Sequence, residues 1–393
     1  MPLVYNFDTP INRYHTNSVK FDFKKAYGQP EDVLPMWVAD MDFPVLPEVT
    51  EAIIKRAKHP VYGYTMALED YYESVIKWME ARHSYHTKKD WYSITPSVVF
   101  SLGVAIRAFT KENEGVMINT PVYGQFFKII ANNNRRIVDS PLVYHEDNKR
   151  FELNFQDIEA KIVKEKVKLY LLCSPHNPVG RVWTKEELLT LGSILKKHQV
   201  VLVSDEIHMD FVFKKYRHHV FSTLKEEFKE FTITCTSSSK TFNLAGLQLS
   251  NTIIANQTLR KEFLRELRKS GYNEPNIFGL VACQTAYEWG ADYMDQLVDY
   301  LFENVEFITD YVNQYMPKLK ITTMEGTYLM WIDFREYGLS SEELKHKLMY
   351  QAKVWLQEGK QFGETEEGFY RMNIAVPRSI LKQCFNQLRE AFS

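Results

Sequence analysis

Cysteine is scarce here: Cys173, Cys235, Cys283 and Cys384 are the only four among 393 residues. They lie far apart and form no C-x-x-C pair, which argues against a disulfide framework or a thiolate zinc site and leaves core packing as their expected use. No apolar run approaches the roughly 18 residues of a spanning helix. Charge of one sign does not prevail either, since 48 Lys and Arg stand against 50 Asp and Glu. No global field therefore draws the chain to nucleic acid or an anionic membrane. The first twenty residues lack the charged start, apolar run and small-residue cleavage site of a secretory signal. The histidines, adjacent His218 and His219 included, show no spacing that sets metal ligands on one face, and that pair is expected to face solvent. There is no internal repeat and no low-complexity tract. These absences predict a cytoplasmic protein with a small-molecule ligand, no metal, no nucleic-acid partner and no membrane partner.

The residues that are present, 45% of them hydrophobic, are too many for one modest core and predict two lobes. Short β-branched and aromatic runs at Val116–Asn119, Leu169–Cys173, Val200–Ser204, Phe231–Cys235 and Thr252–Ala255 read as buried strands. Helical spacing between them, as at Lys185–His198 and Leu259–Ser270, predicts an α/β lobe with a mainly parallel sheet covered by helices. After about Gly290 the rhythm changes. A long helix over Tyr293–Tyr315, a strand at Tyr328–Phe334 and helices at Ser341–Lys353 and Arg378–Ala391 predict a smaller α+β lobe. The expected division is 1–46 as an N-terminal segment of the small lobe that also meets a neighbouring subunit, 47–290 as the large lobe and 291–393 as the small one.

Chemistry-bearing residues cluster just after the predicted strands, where open α/β sheets collect their ligands. Ser237-Ser238-Ser239-Lys240-Thr241-Phe242-Asn243 follows one strand and would carry Lys240 into the crevice. Ser204-Asp205-Glu206-Ile207-His208 sets carboxylates at another strand end, where they need a positive partner such as a protonated pyridine nitrogen. Ser174-Pro175-His176-Asn177-Pro178-Val179-Gly180 follows a third; its prolines predict a rigid turn in which a cis bond is an option, and Asn177 can donate to a phenolate oxygen. Ser97 in Thr95-Pro96-Ser97-Val98-Val99 is a candidate N-cap for a helix running to about Phe109, whose free amides suit a phosphate. Each motif alone is commonplace, and their convergence is the signal.

In order, Ser97-Val98-Val99, Pro121-Val122-Tyr123, Asn177-Pro178-x-Gly180, Asp205-x-x-His208, Ser237-x-x-Lys240 and Arg371 resemble the fold-type-I aminotransferase superfamily over nearly the whole chain. Trp37-Val38-Ala39-Asp40-Met41-Asp42-Phe43, Ser174 to Gly180, Ser204 to His208 and Glu325-Gly326-Thr327-Tyr328 resemble its carbon–sulfur β-lyase branch, of the MalY/PatB or cystalysin type. The resemblance implies the PLP-dependent transferase fold and pyridoxal 5'-phosphate (PLP) held by Lys240. Asp205 would then meet the pyridine nitrogen and Asn177 the ring oxygen O3', while Tyr123 stacks on the ring and His208 lies beside it. Val98, Val99, Ser237 and Ser239 would contact the phosphate, joined by Tyr64 from a partner subunit in a homodimer with shared sites. Arg371, with Ala39 and Asn177, would bind the substrate carboxylate, and Lys240 would move the Cα proton. Tyr123 or Tyr64 would protonate the departing sulfur.

Three positions depart from the aminotransferase or lyase pattern: Gln248 stands where many aminotransferases have a phosphate-binding arginine, His208 where they have tyrosine, and Ser97 where lyase relatives have glycine. The implied activity is β-elimination from L-cystathionine or another cysteine S-conjugate. An aminotransferase and a PLP-binding regulatory protein are the alternatives.

Overall fold

The computed structural model describes residues 4–393. Its main sheet has seven strands: β1 (Tyr92–Thr95), β2 (Gly115–Ile118), β3 (Arg136–Asp139), β4 (Leu169–Cys173), β5 (Val201–Asp205), β6 (Thr232–Thr236) and β7 (Ser250–Ile253). They lie in the order β1-β7-β6-β5-β4-β2-β3. All neighbours are parallel except β7, which runs antiparallel to both β1 and β6.

The unbroken apolar run of β4 follows from burial on both faces. Side chains alternate across the pleat. Tyr170 and Leu172 therefore join one apolar cluster with Leu188, Leu191 and Leu195 of the helix Lys185–Lys197. Leu169, Leu171 and Cys173 join another, with Leu102, Ala105 and Ile106 of the helix Val98–Phe109. The former helix starts at a full capping box between Thr184 and Glu187, which satisfies amide donors at its N-terminus.

A second, antiparallel sheet holds β8 (Lys320–Ile321), β9 (Leu329–Asp333), β10 (Gln357–Glu358) and β11 (Phe369–Asn373), in the order β8-β9-β11-β10. Leu297, Leu301 and Ile308 of the helix Ala291–Tyr315 share a core with Leu381, Phe385 and Leu388 of the helix Arg378–Phe392. Phe7, Met36, Met41 and Phe43 enter that same core, and Leu34–Pro35 pairs in parallel with Val354–Trp355. The N-terminal segment is thus packed against the C-terminal part of the chain.

Two edges of the sequence reading differ. The helix expected over Ser341–Lys353 is an α-helix only for Ser341–His346, then a π-helical turn at Lys347–Gln351, with Lys353 at φ 53°. The wider turn buries Leu348 and Met349 before the chain reverses. Strands β1 and β3 carry no long apolar run; β3 is a short edge strand whose first two residues are exposed, as edge strands commonly are. All four cysteines are free and buried. Among the described residues, no helix is long and apolar enough to cross a membrane.

Candidate functional site

Three neighbouring parallel strands release the chain at one edge. β4 leads into Ser174–Gly180, β5 ends on Asp205, and β6 leads to Ser237 and the short helix Ser238–Thr241 that carries Lys240. Both prolines of the first turn follow cis bonds, as does Pro121. The resulting cavity of about 170 Å³ brings together Val98, Val99, Tyr123, Asn177, Asp205, His208, Ser237, Ser239, Lys240 and Ala39. Beside it opens a larger cavity of about 690 Å³ that shares Ala39, Tyr123 and Lys240 and adds Arg371. Of the twelve site residues expected from the sequence, Tyr64 alone lies outside both; it is 97% exposed.

Burial sets the charges. It lifts the Asp205 carboxyl to about 7, against a lowering influence from its bond with the Ile207 amide and from Lys240. The Ile207 N–H, at 3.2 Å, is the one hydrogen bond that the Asp205 carboxylate accepts among the described residues. A buried carboxylate so thinly supported calls for a cation opposite it. Burial, aided by Arg371, pulls Lys240 down to about 8, so a useful fraction of its amine is unprotonated near neutrality. Its Nζ donates to Ala39 O at 2.6 Å. His208 is held well below its usual value by burial and is neutral. Burial also raises Tyr123 above its ordinary value, keeping the phenol protonated.

On the helix side, Ser97 Oγ accepts from Phe100 N–H at 3.2 Å, as an N-cap should. Ser237 is already committed: its hydroxyl donates to Leu249 O at 2.7 Å and accepts from Ser239 N–H at 3.0 Å. A hydroxyl has one hydrogen to give, so the Ser237 hydroxyl donates to an anion only by releasing Leu249 O. Gln248 borders the cavity at φ 50° and adds no charge.

Arg371, buried on β11, donates to Asn177 Oδ1 and to Trp37 O, each at 3.0 Å, and to Gln357 Oε1. Burial brings its guanidinium down to about 10, and its Nε has no partner among the described residues. Segment 37–43 crosses directly over Lys240. Asn373 Nδ2 holds Val38 O and Asp40 O at 2.6 and 2.5 Å, and Tyr328 Oη donates to Ala39 O at 2.9 Å. Asn243 accepts from Met41 N–H at 2.9 Å and donates to Met41 O at 2.8 Å. Two motifs of the sequence reading are joined as well, because the Glu325 and Gly326 amides donate to Gly180 O at 2.9 and 3.1 Å, and the Glu325 carboxylate accepts from Arg181 Nε at 2.9 Å and Val182 N–H at 2.8 Å just beyond.

One expectation is overturned. His218 does not face solvent: it is buried, with Nε2 2.8 Å from Glu206 Oε2. Glu206 itself has no exposed surface and also accepts from Ser204 Oγ and Phe221 N–H, and a buried carboxylate requires such partners. Sequence reasoning likewise missed Asp210, which receives Trp78 Nε1 at 3.1 Å and Thr241 Oγ1 at 2.7 Å and lies 2.8 Å from His83 Nε2. Asp210 thereby anchors the residue next to Lys240. Glu206 lies inside the Asp205-x-x-His208 motif and Asp210 two residues beyond it, and that proximity is the signal they offered.

The donors fit a flat, phosphorylated pyridine: an acid awaiting a cation, an amide-type donor, an amine, and amides and a hydroxyl at a helix start. Comparison with known proteins agrees. Residues 31–387 match the family model described as aminotransferase class I and II. The chain is 36% identical to cystathionine beta-lyase PatB of Bacillus subtilis (strain 168), over 99% of this chain and 100% of that protein. Cystalysin from Treponema denticola, which contains pyridoxal 5'-phosphate, superposes with a TM-score of 0.94 at 36% identity, covering 99% of each chain. A PLP-bound protein of Clostridium difficile 630, assigned to the aminotransferases, superposes with a TM-score of 0.96 at 40% identity, covering 99% of this chain and 100% of that one.

Proposed function

The chain belongs to the aminotransferase class I and II family, and from that premise we propose that it is a PLP-dependent carbon–sulfur β-lyase, cleaving L-cystathionine or related cysteine S-conjugates to a thiol, pyruvate and ammonia. The observation that carries this reading is the meeting of Lys240, Asp205, Asn177, Tyr123 and Arg371 around two adjoining cavities, in a chain that matches PatB from end to end.

When bound, PLP supplies a carbonyl that an amine can hold covalently and a cationic ring that draws electrons from the substrate's Cα. Lys240 would hold it, and Asp205 would keep the proton at the pyridine nitrogen. Asn177 has its Oδ1 occupied by Arg371 and its Nδ2 left to donate to the ring oxygen. Tyr123 and neutral His208 border the ring. Val98 and Val99 offer amides to the phosphate, Ser239 offers a hydroxyl, and Ser237 supports the turn. Arg371 clamps the substrate carboxylate beside Ala39 and Asn177. The Lys240 amine takes the Cα proton, and Tyr123, protonated by burial, gives one to the departing sulfur.

The lobes would divide into 1–46 with 291–393 as the small one and 47–290 as the large one, which puts the site between them. A homodimer completes the reading. Tyr64 stands exposed among likewise exposed, if less open, Val61, Met66 and Leu68, an apolar run suited to an interface. In an isologous pair, Tyr64 of the partner subunit would reach the phosphate. Four free, buried thiols support a reducing, cytoplasmic setting.

The test is PLP-loaded protein with L-cystathionine, following pyruvate and free thiol together. Equal yields, lost in Lys240→Ala, are the expected result. The Clostridium difficile neighbour favours a second reading, an aminotransferase; keto acid formed only with an added amino-group acceptor, and no pyruvate from L-cystathionine, would establish that instead.

A further inference from the structure

One wall of the larger cavity is built of ions that the reaction does not use. Arg13 Nη2 binds Asp40 Oδ2 at 2.6 Å, and its Nη1 reaches Asp40 Oδ1 at 3.1 Å, Asp42 Oδ1 at 2.6 Å and Met41 O at 3.4 Å. Lys20, with no exposed side-chain surface, holds the other Asp42 oxygen at 2.7 Å. Two cations and two anions balance, so the group sits without net charge.

Saturation is uneven within it. Asp42, a 9% exposed side chain, is enclosed by both cations. Arg13 and Asp40 remain 21% and 22% exposed, and both line the cavity that begins at Lys240 and Arg371. Of the five N–H groups of an arginine, the Nε–H and the second Nη2–H of Arg13 meet no acceptor among the described residues. Those two form the lateral fork that matches a carboxylate. Each oxygen of Asp40 receives one guanidinium nitrogen and keeps a lone pair for an ammonium.

A partly solvated pair of opposite ions, each half satisfied, suits a zwitterion; an apolar group placed there strips water from both and returns nothing. At the inner end Arg371 reads one amino-acid head. We propose that Arg13 and Asp40 form a subsite for the second head, the one carried by the departing thiol, and that Arg13 determines specificity. Substrates with an amino acid on both sides of the sulfur, such as L-cystathionine, are then preferred over S-alkyl cysteines. This rests on the lyase reading above.

The test compares L-cystathionine with S-ethyl-L-cysteine in the PLP-loaded parent, Arg13→Met and Arg13→Lys proteins. Arg13→Met should cut the ratio of kcat/KM between the two substrates by roughly 10- to 100-fold, through KM for L-cystathionine. Arg13→Lys, which keeps the charge without the fork, should recover part of it. An equal fall for both substrates, or no change in the ratio, overturns the proposal and leaves Arg13 as a tether of the N-terminal segment.

Calorimetric titration of PLP-loaded Lys240→Ala, with and without Arg13→Met, reads the same preference in binding alone. If the parent releases no pyruvate, the lyase reading fails, and the calorimetry still decides the subsite.

Discussion

On one side of Lys240 stand buried Asp205 and Asn177 and half-buried Ser239, carried at or just beyond the ends of paired parallel strands. On the other lies segment 37–43, which has no strand partner among the described residues and is held by Asn243, Asn373, Tyr328 and Arg371, mostly through its carbonyl oxygens. The first wall is fixed by the sheet; the second is fixed by side chains reaching across to it. Substitutions should therefore separate. Those in the first wall should cost chemistry and spare the fold, whereas those behind the second should loosen the fold and the grip on substrate.

The largest effect expected is from Lys240→Ala, which should lower β-elimination by at least about 1000-fold while the thermal midpoint of the cofactor-free protein stays within a few degrees of the parent. A large drop in that midpoint would break the comparison. Next, Asp205→Asn should cost roughly 100-fold in kcat, since a neutral amide no longer holds the pyridine proton.

The same variant has a signature in stability. With Asp205 lifted to about 7, the folded cofactor-free chain keeps a proton that the unfolded chain has already released. Its contribution is full below the ordinary value of 3.8 and is lost as pH rises through about 7. The thermal midpoint of Asp205→Asn minus that of the parent should accordingly grow between those two values, and a flat difference would refute the assignment.

On the second wall, Asn373→Ala should destabilise by about 2 kcal/mol by stranding two half-buried carbonyls, measured by urea unfolding, and should raise KM more than it lowers kcat. Smallest is Ser237→Ala. Loss of a cap should cost about 1 kcal/mol and change PLP affinity less than Ser239→Ala does; the reverse order would restore Ser237 as the phosphate donor.

This division also explains what could be read in advance. Strand ends are legible because a buried parallel strand is a continuous apolar run, and the polar residue that follows it has few places to go; β4, β5 and β6 each begin and end within a residue or so of the expected positions. Lys240, Asp205 and Asn177 came with them. Segment 37–43 reads as a motif with Ala39 toward the substrate, yet how the segment is held does not, because a carbonyl acceptor leaves no mark on residue type. Arg13, Lys20 and Asp42 sit in irregular backbone without period, where charge ordinarily means solvent. His218 was misplaced for the same reason, as nothing near it in sequence announces that Glu206 needs a buried partner.

The four cysteines have a practical consequence for any of these assays. Each is buried, Cys173 against the wall of the smaller cavity, and burial raises every one of the thiols above its ordinary value, Cys283 to about 11. The thiolate is the reactive form, so a colorimetric disulfide reagent added to the folded enzyme should count product sulfur with little background from the protein, any of it arising from Cys173 at the cavity wall. In denaturant, the same reagent becomes a gauge of unfolding.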